Sequence, residues 1–104
     1  MDESQYRQVA HLAEIPQGEM LCVDFEDREI LLCHTAEGVF AVDNLCTHAD
    51  ARLCEGRMKG SRILCPMHGG AFDVRDGSAL TRPAFTPLRS YPVKLEDDWI
   101  MIAG

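Results

Sequence analysis

Long apolar runs are missing from this chain. No stretch approaches the roughly 20 residues that a membrane helix needs, and the uninterrupted ones are short, such as Trp99 to Ala103. The start, Met1-Asp2-Glu3-Ser4-Gln5, is acidic and polar, unlike a secretory signal, so a secretory leader is not expected. Basic charge is scarce, with 10 Lys and Arg against 17 Asp and Glu, a formal charge of -7 and a pI near 4.9. That balance repels phosphate backbones, excludes ordinary nucleic-acid binding and favours a partner with a basic docking face. Cysteine is too sparse for a disulfide scaffold, at five residues and an odd count. The expectation is a reducing cytoplasm, with cysteines buried, metal-bound or reactive. Internal repeats, low-complexity tracts and linkers are absent.

What remains is the composition of a compact globular protein: 104 residues, 46% hydrophobic and 26% charged. The length predicts one domain spanning 1–104, able to bury roughly 65% of its unfolded surface. Helix signals are weak. Tyr6 to Ile15 has a helical reading, but it runs into the breaker cluster Ile15-Pro16-Gln17-Gly18. Strands are expected at Met20 to Phe25, Glu29 to His34, Val39 to Val42, Arg62 to Leu64, Ala71 to Val74, Tyr91 to Glu96 and Trp99 to Ile102. Ala36-Glu37-Gly38 and Asp97-Asp98 supply hairpin turns. Short strands at this spacing indicate an all-β sandwich or small barrel. Asn44 to Gly60, Cys65 to Gly70 and Gly77 to Pro87 fit strands poorly and read as long loops, where function usually sits.

Two of those loops pair a soft ligand with an imidazole: Cys46-Thr47-His48, and Cys65-Pro66-Met67-His68-Gly69-Gly70. One cysteine alone is usually a small buried hydrophobe, and one histidine an ordinary core or surface residue. Two Cys-His pairs in turn-rich loops are a different matter. Structural zinc accepts two Cys and two His, but its usual loops run C-x(2-4)-C and H-x(3-5)-H, whereas each loop here mixes ligand types. Mixed pairs suit a two-iron cluster better, with both thiolates on one iron and both imidazoles on the other.

The pattern C-T-H followed by C-P-M-H-G-G resembles the Rieske signature. Asp43 to His48, Gly69 to Val74 and Tyr91 to Lys94 look like the Rieske ferredoxins of bacterial aromatic-ring dioxygenase systems. The resemblance implies an antiparallel β sandwich with a small cluster-binding subdomain, its loops lying at about 44–87, and one [2Fe-2S] cluster. Cys46 and Cys65 would bind the inner iron. His48 and His68 would bind the outer iron, through Nδ1, near the surface. Thr81 to Pro87, with Pro83, resembles a third loop covering the cluster. The implied function is a soluble, cytoplasmic one-electron carrier that is not itself an enzyme. It would take electrons from a flavin-dependent ferredoxin reductase and pass them to a Rieske non-haem iron dioxygenase, docking transiently near His48 and His68. Ala49, Met67, Pro83 and Phe85 would form an apolar rim there. No two-His, one-carboxylate iron triad is evident. Two other readings compete: a small Rieske subunit fixed in a nitrite-reductase-like complex, and a structural zinc domain.

Departures from the respiratory-chain Rieske subunits are informative. The positions of their disulfide cysteines are Ala51 and Met67 here, and their Ser and Tyr hydroxyl donors are replaced by Gly70 and Phe72. Donors to sulfur favour the reduced cluster, so the potential is expected toward the low end of the Rieske range, about -150 mV. Neutral imidazoles in place of two thiolates still keep it above that of an all-cysteine cluster. Cys22 and Cys33 read as core residues of strands, and Cys54 has no assigned role. His11 and His34 lack partner motifs, and the acidic stretches Asp24 to Glu29 and Glu96 to Asp98 read as solvated turns.

Overall fold

The computed structural model describes residues 6–47, 51–67, 70–81 and 86–104. Among these there is no α-helix, only two 3-10 turns, at Leu12–Glu14 and Leu53–Glu55. Eleven strands follow in order: β1 Arg7–His11, β2 Met20–Phe25, β3 Arg28–Thr35, β4 Gly38–Asp43, β5 Arg57–Lys59, β6 Arg62–Leu64, β7 Ala71–Asp73, β8 Ala79–Thr81, β9 Ser90–Tyr91, β10 Val93–Glu96 and β11 Trp99–Ile102. They form three antiparallel sheets, ordered β1-β11-β10, β2-β3-β4-β9 and β5-β6-β7-β8.

The middle sheet carries the architecture. In β3, Ile30, Leu31, Leu32 and Cys33 are all fully buried. Successive residues of a strand face opposite sides, so an unbroken apolar run means that both faces are covered. Ile30 and Leu32 pack with Phe25, Tyr91, Ile100 and Ile102 in one core. Leu31 and Cys33 pack with Leu53, Ile63, Phe72, Val74 and Leu88 in a second. The second core joins the middle sheet to the small β5–β8 sheet and contains both Cys46 and Cys65.

Several expectations are refined by this arrangement. The helical reading of Tyr6 to Ile15 gives way to β1, which pairs with β11, followed by the first 3-10 turn. Tyr91 to Glu96 is two strands in different sheets: Tyr91 pairs with Ala41 of β4, whereas Val93 pairs with Ile102 of β11. Pro92, which has no N–H to donate, stands at the crossover. β5 and β8 fall inside stretches expected to be loops. Arg57-Met58-Lys59 has no apolar run to betray it, and its charges suit an edge strand. The acidic stretches are tight hairpins: Glu26, Asp27, Asp97 and Asp98 all have positive φ, the conformation that a two-residue turn between twisted strands requires.

Candidate metal centre

The first Cys-His loop leaves the end of β4. Asn44 donates its N–H to the Glu29 carbonyl (3.0 Å), and its own carbonyl accepts from the Leu53 N–H (2.7 Å). Leu45 and Arg52 form an isolated bridge that narrows the loop's neck. Inside that neck the Cys46 N–H donates to the Ala51 carbonyl (2.9 Å). The second loop joins β6 to β7, and its neck is the Leu64–Ala71 pair. Inside it, the Cys65 N–H donates to the Gly70 carbonyl (2.7 Å). The two loops therefore share one device: the cysteine's backbone N–H closes on the carbonyl five residues later. Glycine at position 56 is required by the same packing, because a Cβ there would overlap the Leu64 carbonyl oxygen just before Cys65.

Cys46 is 7% exposed and Cys65 is 3% exposed. Ala51, Gly70 and Phe72 are buried around them. Among the described residues the cysteines form no disulfide. Thiolates in an apolar setting are costly unless a cation takes up their charge. Two such sulfurs at the bases of matching loops fit the inner half of a cluster with soft ligands. His48 and His68 lie outside the described residues, as do Ala49, Pro83 and Phe85. Of the expected apolar rim, Met67 is exposed at 47%, and Leu45, not foreseen as part of it, is exposed at 57%. The third loop approaches the first, since Thr47 Oγ1 donates to the Thr86 carbonyl (2.7 Å).

A polar brace behind the first loop went unread in the sequence. Asn44 is fully buried. Its Nδ2 donates to Glu29 Oε1 (3.2 Å) and to Cys54 Sγ (3.4 Å), and its Oδ1 accepts from the Cys54 N–H (2.9 Å). Arg52 grips the same carboxylate with two hydrogen bonds of 3.0 Å. Hydrogen bonding from Asn44, then from Arg52, holds the Glu29 carboxyl below its ordinary pKa. Glu29 is thus a tie across the sheet rather than a solvated turn residue. A second brace stands next to it. Tyr91 Oη donates to Asp43 Oδ1 (2.5 Å) and accepts from Arg28 Nη1 (3.3 Å). Burial, then the neighbouring Asp43, pushes the Tyr91 phenol up to about 12, so it stays a donor. The prior signal for the first brace was a polar Asp43-Asn44 step between the apolar Val39 to Val42 run and Leu45.

Cys33, His11 and His34 take structural roles. Cys33 is core, whereas Cys22 is only half-buried. His34 Nδ1 lies 2.7 Å from the Ile15 carbonyl, and His11 caps the first 3-10 turn by accepting from the Ala13 N–H. A cleft of about 340 Å³ lined by Asp27, Arg28, Glu29, Asp43 and Leu45 opens beside the first loop, with three carboxylates against one guanidinium.

Residues 5–92 match the family profile described as Rieske [2Fe-2S] domain. The chain is 44% identical over 91 residues to the ferredoxin component of the naphthalene 1,2-dioxygenase system of Pseudomonas aeruginosa, covering 88% of each chain. Among solved structures it resembles the ferredoxin of carbazole 1,9a-dioxygenase from Nocardioides aromaticivorans IC177, with TM-score 0.91, 34% identity and coverage of 95% of this chain and 97% of that one. It also resembles a chain in a complex of reduced oxygenase and oxidized ferredoxin in carbazole 1,9a-dioxygenase, with TM-score 0.90, 28% identity and coverage of 96% and 94%.

Proposed function

The chain belongs to the Rieske [2Fe-2S] domain family, and from that premise we propose that it works as the soluble one-electron carrier of an aromatic-ring dioxygenase system, with no catalytic centre of its own. The observation that carries this reading is the pair of buried sulfurs, Cys46 and Cys65, each at the base of a loop closed by its own N–H. It stands on a chain whose relative at 44% identity is a ferredoxin component. The cluster, when bound, supplies a site that takes up and gives back one electron.

The chain's own residues do the rest. Cys46 and Cys65 would hold the inner iron and His48 and His68 the outer one. Phe72, Leu53 and Ile63, all fully buried, keep water from the sulfur side. Gly70 and Phe72 offer no side-chain hydroxyl to sulfur, which leaves the potential low. Loops at about 44–87 present the imidazole side to partners, and the whole of 1–104 serves as one domain around them.

Electron entry and exit both run through the His48 and His68 side, where exposed Leu45 and Met67 make a small apolar contact. The acidic cleft of Asp27, Glu29 and Asp43 beside Leu45 steers a partner with a basic face. The terminal oxygenase is one such partner, in keeping with the oxygenase–ferredoxin complex that contains a chain of the same fold. A flavin-dependent reductase is the other, and the cytoplasm is where all three meet. Encounters of this kind bury under about 1,200 Å² and are short-lived.

Iron and sulfide analysis, with electron paramagnetic resonance after dithionite reduction, tests the centre. Two irons and two labile sulfides per chain are expected, with a mean g below that of an all-thiolate cluster. One zinc and a colourless protein would overturn the proposal. Stopped-flow oxidation of the reduced carrier by an oxygenase should slow as salt rises. A flat salt response would remove the steering by acidic charge.

A further inference from the structure

Cys22 and Cys54 belong to neither Cys-His motif, yet the fold sets them against one polar knot. Cys22 lies on β2, the edge strand of the middle sheet, on the face shared by Met20, which packs toward the second core. Cys54 lies on the 3-10 turn Leu53–Glu55, which packs on β2 from the other side of the seam. Both are half-buried, within reach of a small solute. Arg52 Nη2 approaches Cys22 Sγ at 3.9 Å, and Asn44 Nδ2 approaches Cys54 Sγ at 3.4 Å. Arg52 and Asn44 meet on the same Glu29 carboxylate, so the two sulfurs are the two ends of one hydrogen-bonded chain. The ends also lie on elements in direct contact, β2 and the 3-10 turn.

We infer that Cys22 and Cys54 are a redox-modifiable thiol pair, which hydrogen peroxide or a related two-electron peroxide oxidant converts to an intramolecular disulfide across the seam behind the first cluster loop. The reaction balances in two steps. The Cys54 thiolate attacks one peroxide oxygen, the O–O bond breaks, and the departing hydroxide takes a proton to leave as water. Cys54 is then a sulfenic acid. The sulfur of Cys22 loses its proton and attacks the Cys54 sulfur, the S–O bond breaks, and a second water leaves. Cys54 is written first because burial raises the Cys22 pKa and keeps that thiol protonated. Arg52 faces the Cys22 sulfur and offsets the negative charge that it carries as it attacks.

Forming the bond withdraws Cys54 Sγ from Asn44 and Cys22 Sγ from Arg52. Those two residues also bind Glu29 and hold the neck of the loop that carries Cys46. The pair is therefore placed to register oxidation next to the metal centre without spending a ligand. This inference does not depend on the electron-transfer reading, because it concerns sulfurs outside the proposed donor set.

The test treats the holoprotein with equimolar hydrogen peroxide under anaerobic conditions and monitors its visible absorbance. It is then alkylated and digested without reductant. The expected result is a peptide pair joined through Cys22 and Cys54, loss of two alkylatable thiols, and reversal by dithiothreitol, with the visible absorbance retained. C22S should lose the cross-link and leave a dimedone-reactive sulfenic acid on Cys54. C54S should lose the cross-link as well. Retention of both thiols, a disulfide between chains, or linkage only through Cys46 or Cys65 after bleaching would each overturn the inference.

Discussion

Replacing Asn44 by alanine should damage the first cluster loop without touching a ligand. The substitution deletes three hydrogen bonds: to Glu29 Oε1, to Cys54 Sγ, and from the Cys54 N–H. A net hydrogen bond contributes about 1 kcal/mol, one to a charged group about 1.5–3, and an amide left without a partner costs about 1–3. The bond to sulfur is the weakest of the three, so the total comes to about 3 kcal/mol. For a domain of this size that corresponds to a fall of roughly 10–20 °C in the unfolding midpoint. Apparent midpoints of the holoproteins, followed by circular dichroism and by visible absorbance, give the measurement. Asn44→Asp sharpens it. That variant keeps an oxygen for the Cys54 N–H but sets a second carboxylate against Glu29. It should be destabilised at neutral pH and should recover toward wild type as acid protonates the pair. An alanine variant within about 3 °C of wild type, or an aspartate variant with no pH response, would show that Asn44 does not brace the loop.

Other outcomes follow from the same contacts. Glu29 has a lowered carboxyl pKa, so its ionised form contributes stability above the ordinary value of 4.5 and loses it as pH falls through the folded-state value. The gap in urea midpoint between wild type and Glu29→Gln should therefore be widest at neutral pH and close below 4.5; a gap that widens in acid would contradict the tie to Asn44 and Arg52. Phe72→Tyr puts a hydroxyl in the fully buried wall near the sulfurs. If it donates to sulfur, square-wave voltammetry should show the potential rising, by up to about 100 mV for a bond of about 2 kcal/mol. An intact variant with a lower potential would refute the role given to the missing hydroxyl. Gly56→Ala drives a Cβ into the Leu64 carbonyl oxygen. It should cost about 3 kcal/mol or prevent cluster assembly, read as iron per chain after reconstitution, and full loading at wild-type stability would contradict the packing.

Much of the fold was legible because its strands announce themselves by burial. β2, β6 and β11 begin and end where apolar patterning placed them. The run Ile30 to Cys33 read correctly as a strand, although its burial on both faces needed the third sheet to be seen. β5 and β8 were hidden because neither has a buried residue to mark it, unlike β6 with Ile63, and their pairing is imposed by neighbours rather than by propensity. The crossing at Pro92 was hidden for a related reason. Tyr91 and Val93 are both good strand residues, and only long-range partners decide that they join different sheets. The signature motifs stood out in the sequence, because each loop sets a histidine shortly after a cysteine, as Cys46-Thr47-His48 and Cys65-Pro66-Met67-His68. The Glu29–Asn44–Arg52 brace did not, since its members are far apart in sequence and each is an unremarkable polar residue by itself.

Strands of three residues do not form a stable sheet alone. β5 to β8 stand because Ile63, Phe72 and Val74 pack onto one face of the middle sheet, through Leu31, Cys33 and Val42. The loops that carry Cys46 and Cys65 therefore take their rigidity from β3, and from one face of it. Leu31 and Leu32 separate the two contributions, being adjacent, identical in side chain and both fully buried, with Leu31 in the cluster-side core and Leu32 in the opposite one. Either change to alanine should cost about 2–5 kcal/mol in global stability. Only Leu31→Ala opens a cavity under the metal centre, so it should speed iron loss to a chelator well beyond what its global destabilisation accounts for. Leu32→Ala, matched for stability by a few degrees of temperature, should release iron no faster than wild type at the same distance from its midpoint. Equal release from the two variants would mean that the loops hold themselves, and the dependence of the site on one face of β3 would have to be abandoned.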